Sequence, residues 1–240
     1  MNNSKLQSRI TQLYIKLINM MHRPFIKSDI VDPYHSVFNE FIELSKKGNN
    51  PSILEIGSRN VTGVTRRNIF SHSGEYIGFD ILSGDGVDVV GDAHKLSEHL
   101  SHDNFDFAYS ISVFEHLLFP WKAVLEINKV MKTNGYLFIS THPVWPAHEM
   151  PWDFWRFPIN GFHALFNKYT GFEIVSIAEG LPCKVYSLAP DPPTRGNCYH
   201  TMNQGVALIA RKTGDYRHDL LKWEIDASDV LITMYPDQNS

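Results

Sequence analysis

The chain has 240 residues, of which 43% are hydrophobic and 20% charged, and a formal net charge of −4. These values fit one large globular domain with terminal additions and argue against a surface built for nonspecific binding to a nucleic-acid backbone. Two cysteines, Cys183 and Cys198, without a CxxC pair indicate neither a disulfide framework nor a zinc ribbon and fit a reducing cytoplasm.

Residues 1–21 lack the apolar core and small-residue cleavage site of a signal peptide. No stretch approaches the roughly 20 apolar residues needed to span a bilayer. Leu6, Ile10, Leu13, Leu17 and Met20 or Met21 recur at helical spacing, predicting an amphipathic helix that packs on the domain or on a second subunit. A second helix is expected over 35–47, with Val37, Phe38, Phe41, Ile42 and Leu44 on one face and Gly48-Asn49-Asn50-Pro51 as its end.

The first strand is read at 52–57, where Ile53-Leu54-Glu55-Ile56 runs into Gly57-Ser58-Arg59-Asn60. A tight turn and a helix are expected next, over 62–71, so that backbone N–H groups and a helix N-terminus can approach a ligand. Glu55 lies inside the apolar run and requires a partner: the turn's backbone donors or a ligand carrying positive charge. Further strands are expected at 74–80, 87–90, 105–110, 136–140, 172–177 and 205–210, with helices at 120–131 and 161–169. An Asn134-Gly135 turn precedes the strand at 136, a Pro-rich loop runs from Pro182 to Pro193, and a helical tail is expected from 215. The alternation predicts an α/β fold: a Rossmann-like, doubly wound, seven-stranded, mostly parallel sheet with N-terminal helices. The boundaries expected are 1–50 for a helical extension acting as a lid or dimer contact, 51–214 for the ligand-binding domain, and 215–240 for the tail.

In such a sheet the ligand sits at the carboxyl ends of the strands. Those ends carry Gly57-Ser58, Asp80, Asp92-Ala93-His94 and Ser110. Asp80, closing the second strand, suits bidentate hydrogen bonding to ribose hydroxyls, and Asp92 beside a small residue suits the exocyclic amine of adenine.

These segments together resemble class I S-adenosylmethionine-dependent methyltransferases of the broad type-11 group. The resemblance is carried by Leu54-Glu55-Ile56-Gly57, Tyr76-Ile77-Gly78-Phe79-Asp80, Gly91-Asp92-Ala93-His94, Phe105 to Ser110 with Val113-Phe114-Glu115-His116, and Val130 to Leu137. It covers about residues 50–212. It implies S-adenosylmethionine as cofactor, S-adenosylhomocysteine as product, and Glu55, Gly57, Ser58, Asp80, Ile81, Asp92, Ala93, His94 and Ser110 as cofactor-binding residues. One departure is Arg59, which stands where the family's loop carries its second glycine. A dinucleotide needs close backbone approach to its pyrophosphate at that place, whereas the sulfonium donor has no phosphate. The departure therefore weighs against a nicotinamide enzyme more than against a methyltransferase.

Residues 140–157 hold three Trp, two Phe, two His, two acids and an Arg. One reading is a packing lid. The other is an acceptor pocket, because aromatic walls with few polar groups suit a ring such as a sugar. The segment Asp153-Phe154-Trp155-Arg156-Phe157 is similar to those of methyltransferases of surface-polysaccharide synthesis, which implies a glycan-related hydroxyl acceptor. Methyl transfer to a hydroxyl needs alignment, exclusion of water and a base. His148 is the first candidate and His142 the second, oriented by Asp153 or Glu149. Glu115, Trp145, Glu149, Trp152, Trp155 and Arg156 are candidate acceptor contacts, with Arg156 as a grip for phosphate or carboxylate or as the structural partner of Asp153. A divalent metal held by Glu115, His116, His142 and His148 competes and is set aside. The remaining alternatives are a methyltransferase of another small metabolite, N- or O-directed, and a donor-binding module without catalysis. The expected partner is a small-molecule or sugar acceptor, with no nucleic acid and with a homodimer contact left open.

Overall fold

The structure, a computed structural model, describes residues 3–22, 32–187, 192–194, 197, 200–226 and 229–230. The chain divides into two compact units, Met1–Val31 and Asp32–Ser240. Helix α1 (Asn3–His22) belongs to the first, and its Leu6, Ile10, Leu13 and Leu17 are exposed. No helix among the described residues is long and apolar enough to cross a membrane.

The second unit is built on seven strands: β1 (Ser52–Ile56), β2 (Glu75–Asp80), β3 (Val89–Val90), β4 (Phe105–Ile111), β5 (Met131–Thr141), β6 (Phe172–Cys183) and β7 (Met202–Lys212). They form one sheet in the order β3-β2-β1-β4-β5-β7-β6, with β7 antiparallel to both neighbours and the other pairs parallel. This is the Rossmann-like, mostly parallel sheet that the alternation predicts. The helices are α2 (Pro33–Lys46), α3 (Leu96–His99), α4 (Pro120–Val130) and α5 (Gly161–Leu165).

Side chains alternate between the two faces of each strand, and each face has its own core. Leu54 and Ile56 of β1 join Leu137 and Ile139 of β5 with Val124 and Ile127 of α4. Ile53 joins Phe107, Tyr109, Phe138 and Ile209 with Val37 and Phe41 of α2 on the other side. A strand buried on both faces reads as a continuous apolar run, which is why β1 is so plain in the sequence. Helix α2 starts where Asp32 accepts a hydrogen bond from the Tyr34 N–H at 3.0 Å with Pro33 at the first turn. The second oxygen of Asp32 accepts from the Leu181 N–H at 2.8 Å and ties that start to β6.

Three expectations are corrected. The helix expected over 62–71 is only a short 3-10 turn, Arg67–Phe70. Residues 60–65 combine β-branched residues with Gly63, which disfavour helix, and the Asn60 N–H and side chain bond Asp85 instead, at 2.9 and 3.0 Å. The chain enters β5 at Met131 directly from α4; Asn134, at φ 70°, sits inside the strand where pairing with β4 shifts register between Phe105 and Phe107. Finally, residues 215–226 are not helical. They are anchored from outside: the Tyr216 N–H donates to Asn128 Oδ1 at 3.2 Å, the Arg217 N–H to the Tyr169 carbonyl at 2.9 Å, and Trp223 packs on Phe119 and Trp121. Residues 231–240 of the expected tail lie outside the described residues.

Candidate active site

Strand order reverses between β1 and β4, and a cleft of about 340 Å³ opens at their carboxyl ends. Glu55, Gly57, Ser58, Asp80, Ile81, Asp92, Ala93 and His94 all line it; Ser110, the remaining predicted cofactor residue, is buried in the sheet and does not.

Gly57 has φ +84°, a left-handed conformation, and a Cβ there would overlap Val113 Cγ2 from the loop after β4. Only glycine satisfies both demands. The amides that follow are spent within the protein. The Gly57 and Ser58 N–H groups donate to the Phe79 carbonyl at 2.8 and 3.2 Å, the Arg59 N–H to Asp80 Oδ2 at 3.1 Å, and the Asn60 N–H to the Asp85 carbonyl. Expected backbone donors for a ligand are therefore engaged over 57–60, and no helix N-terminus follows directly. Asp80 also accepts from the Leu82 N–H at 3.0 Å, so its carboxylate braces the turns on both sides of the cleft.

Glu55 finds neutral partners. The Tyr76 hydroxyl donates to its carboxylate and lies 2.6 Å from the Tyr109 hydroxyl, which in turn donates to Tyr76. Burial pushes the Glu55 carboxyl above the ordinary carboxylate range, against the phenol hydrogen bonds and the charges of Arg66 and Arg67, which favour the ionised form. Two tyrosines on neighbouring strands, Tyr109 in register with Glu55 and Tyr76 in register with Ile53 on the same face, are a signal that the sequence contains but that becomes readable only once strand order is known.

His94 is buried and held at both ring nitrogens. Its Nε2 accepts from the Phe119 N–H at 3.2 Å, so Nδ1 carries the proton and donates to Asp92 Oδ1 at 2.6 Å. Burial raises the Asp92 pKa, but the hydrogen bonds from the His94 ring and N–H outweigh it and hold the carboxyl below its usual range.

The aromatic segment is pinned to the site through Glu115, whose carbonyl accepts from the Phe154 and Trp155 N–H groups at 2.9 and 3.1 Å. This splits its predicted residues. His148, Glu149 and Trp152 face the cleft. Trp145 stacks on His142 at 4.6 Å, Trp155 packs edge-on against Trp121, and none of His142, Trp145, Asp153, Trp155 and Arg156 lines the cleft. Arg156 is committed elsewhere: it forks onto Asp153 at 2.5 and 2.7 Å and also donates to the Trp145, Pro146 and Trp155 carbonyls. Of the two roles expected for Arg156, the contacts match the partner of Asp153 and leave no donor geometry for an acceptor phosphate. Asp153, almost fully buried, is held well below the ordinary carboxylate range chiefly by Arg156, and it accepts from the His148 N–H at 2.9 Å.

Glu115 is fully buried. Its Oε2 accepts from Thr141 Oγ1 at 2.6 Å, while Oε1 has no hydrogen-bond partner among the described residues and lies 3.5 Å from His142 Nε2. His142 directs Nδ1 to the Gln204 carbonyl at 3.0 Å and Nε2 toward Ser112 Oγ at 3.3 Å. His116, which also lines the cleft, donates Nδ1–H to the Trp152 carbonyl at 2.6 Å, leaving Nε2 with its lone pair. Ligand atoms of Glu115, His116 and His148 lie within 4.8 Å of one another, so these three side chains could hold a metal ion. Thr62, Val64 and Arg66, expected on a helix, also line the cleft, as do Arg59 and Val61 of the loop before it.

No curated protein sequence matches the chain. Among solved structures, a Bacillus halodurans protein assigned as a methyltransferase superposes with a TM-score of 0.57 at 12% identity, over 75% of this chain and 100% of its own. The methyltransferase solved with the Haloferax volcanii Trm112 activator gives 0.51 at 13% identity, over 78% of this chain and 92% of its own. The trans-methyltransferase CalH, solved with S-adenosylhomocysteine, gives 0.51 at 16% identity, over 72% and 54%. At such identities these likenesses speak for the fold. The profile of a family described as a methyltransferase domain matches residues 33–188, from the start of α2 through β6, and on that match the chain belongs to the methyltransferase-domain family.

Proposed function

We propose that the protein transfers the methyl group of S-adenosylmethionine to a hydroxyl of a sugar, carried on a nucleotide sugar, a glycan or a glycosylated small molecule. The observation that carries this reading is the convergence in one cleft of Glu55, Asp80 and Asp92 with His148, Glu149 and Trp152 of the aromatic segment. The first group suits the amino-acid, ribose and adenine parts of the donor, as the family resemblance implies; the second suits a ring-shaped acceptor at the mouth. The similarity of Asp153 to Phe157 to segments of surface-polysaccharide methyltransferases supports the choice of a sugar.

The donor supplies an electrophilic methyl carbon on a sulfonium. The acceptor oxygen attacks that carbon in line as the carbon–sulfur bond breaks, and the hydroxyl proton passes to an imidazole. Three features support His148 in this role: it lines the cleft, its N–H is fixed by Asp153, and Nδ1 faces the Pro146 carbonyl at 3.2 Å, which leaves Nε2 to accept the proton. His142, stacked on Trp145, does not line the cleft. Titration calorimetry with S-adenosylhomocysteine, followed by transfer from labelled donor to a panel of nucleotide sugars and glycans, tests the proposal. Absence of binding by the folded protein overturns it, and binding without any transfer favours a donor-binding module. Replacing both His148 and His142 by alanine is expected to abolish transfer while leaving donor binding intact.

A second reading is favoured by the fully buried Glu115, whose Oε1 has no hydrogen-bond partner among the described residues and which clusters with His116 and His148 as potential metal ligands. A carboxylate and two imidazoles suit Mn²⁺, Fe²⁺ or Zn²⁺, which would acidify the acceptor hydroxyl with His148 as a ligand rather than a base. Metal analysis of the purified protein, with turnover before and after exhaustive chelation, separates the readings: undiminished turnover removes the metal.

A further inference from the structure

The cleft holds an arginine whose charge is otherwise unspent. Arg59 and Arg66 both line it. Arg59 is tied to Asp80, with Nε 3.8 Å from Oδ1, and Arg67, next along the chain, pairs with Asp88 and lies over the Tyr76 ring at 4.6 Å. The Arg66 side chain makes no hydrogen bond or ion pair among the described residues, although its charge reaches the Glu55 carboxylate. An unpaired guanidinium and a buried carboxylate lining one cleft complement a zwitterion, a ligand group with an ammonium beside a carboxylate.

The backbone points the same way. A strand–turn–helix site ordinarily receives an anionic group on turn amides and a helix N-terminus. Here the amides of residues 57–60 all donate within the protein, and the 3-10 turn at Arg67–Phe70 stands well beyond them and is too short to act as an anion site. Positive charge for a ligand carboxylate has to come from a side chain; Arg59 Nε has no hydrogen-bond partner but lies 3.8 Å from Asp80, whereas Arg66 is the cleft arginine without an ion pair among the described residues. We propose that Arg66 grips the carboxylate of the donor's amino-acid end, while Glu55 faces its ammonium. The inference rests on the S-adenosylmethionine reading above and assigns a specificity residue within it.

The test compares S-adenosylhomocysteine with 5′-methylthioadenosine, which keeps the nucleoside and sulfur but lacks the amino-acid end. Both are titrated calorimetrically into the wild type, Arg66→Gln and Arg66→Lys. Arg66→Gln is expected to weaken S-adenosylhomocysteine about 10- to 100-fold, the range of a charge-assisted hydrogen bond, and to leave 5′-methylthioadenosine within about twofold. Arg66→Lys should recover part of the loss. The nucleoside ligand also reports on folding, so equal weakening of both ligands marks a structural role and overturns the assignment. Unchanged S-adenosylhomocysteine affinity overturns it too, in favour of an acceptor contact if the acceptor KM rises instead. Failure of the wild type to bind either ligand rejects the donor reading itself.

Discussion

Replacement of Gly57 by alanine is expected to cost about 3 kcal/mol of folding stability and to weaken S-adenosylhomocysteine binding. Two terms enter. Holding a residue with a Cβ at φ +84° costs about 1–2 kcal/mol. The added methyl overlaps Val113 Cγ2, packed against the core, and forcing such an overlap costs about 1–3 kcal/mol. For a chain of this size the sum corresponds to a fall in Tm of roughly 6–12 °C, a large part of a typical domain's margin. Calorimetric unfolding of the wild type, Gly57→Ala, Val113→Ala and the double variant gives the assay. Trimming Val113 removes the overlap but not the backbone cost, so the double variant should be more stable than the sum of the single effects by about 1–3 kcal/mol. Stability of Gly57→Ala within about 0.5 kcal/mol of the wild type, or no coupling to Val113, would refute the account of this turn.

Asp92→Asn should destabilise the protein at neutral pH and less so in acid. The Asp92 pKa is lowered by His94 against the effect of burial, so its contribution is fully present above the unfolded carboxylate value of about 3.9 and is lost as pH falls through the folded one. Thermal midpoints of wild type and variant should therefore converge as pH is lowered from 7 to 3. Lys212 is fully buried, bonded to Asp103, the Met131 carbonyl and Asp215 at 2.9, 2.9 and 3.2 Å, but the two carboxylates are largely exposed and can rehydrate. Lys212→Met should then cost only about 1–3 kcal/mol, the price of one orphaned carbonyl, in chemical denaturation. Asp226 pairs with Lys122 and Lys95 at 2.5 and 2.7 Å and is held down to about 2 by both. Asp226→Asn should speed tryptic cleavage at Lys222 while leaving the thermal midpoint of the folded domain unchanged.

The strands were legible because a strand covered on both faces has to be apolar throughout, and the expected sheet matches β1, β2 and β4 to within a residue or so. The short β3, two residues long, was expected over 87–90 from its apolar run and is confined to Val89–Val90. The loop after Gly57 was misread as helical because Arg66, Arg67 and Phe70 mimic helical spacing, whereas its backbone is claimed by Phe79, Asp80 and Asp85 from later in the chain. Arg156 shows the same limit: a guanidinium in an aromatic loop looks available until the loop folds it onto Asp153 and three carbonyls.

Sequence alone determined the class of the fold, the strand ends that carry Glu55, Asp80 and Asp92, and the need for Glu55 to have a partner, because periodicity and desolvation act locally. Tertiary structure alone decided who that partner is, which amides remain for a ligand, and which half of the aromatic segment faces the cleft. Those outcomes depend on strand order and on contacts between residues far apart in the chain. Tyr76 and Tyr109 reach Glu55 only because β2 and β4 flank β1, and the amides of residues 57–60 are engaged by Phe79, Asp80 and Asp85 from later in the chain.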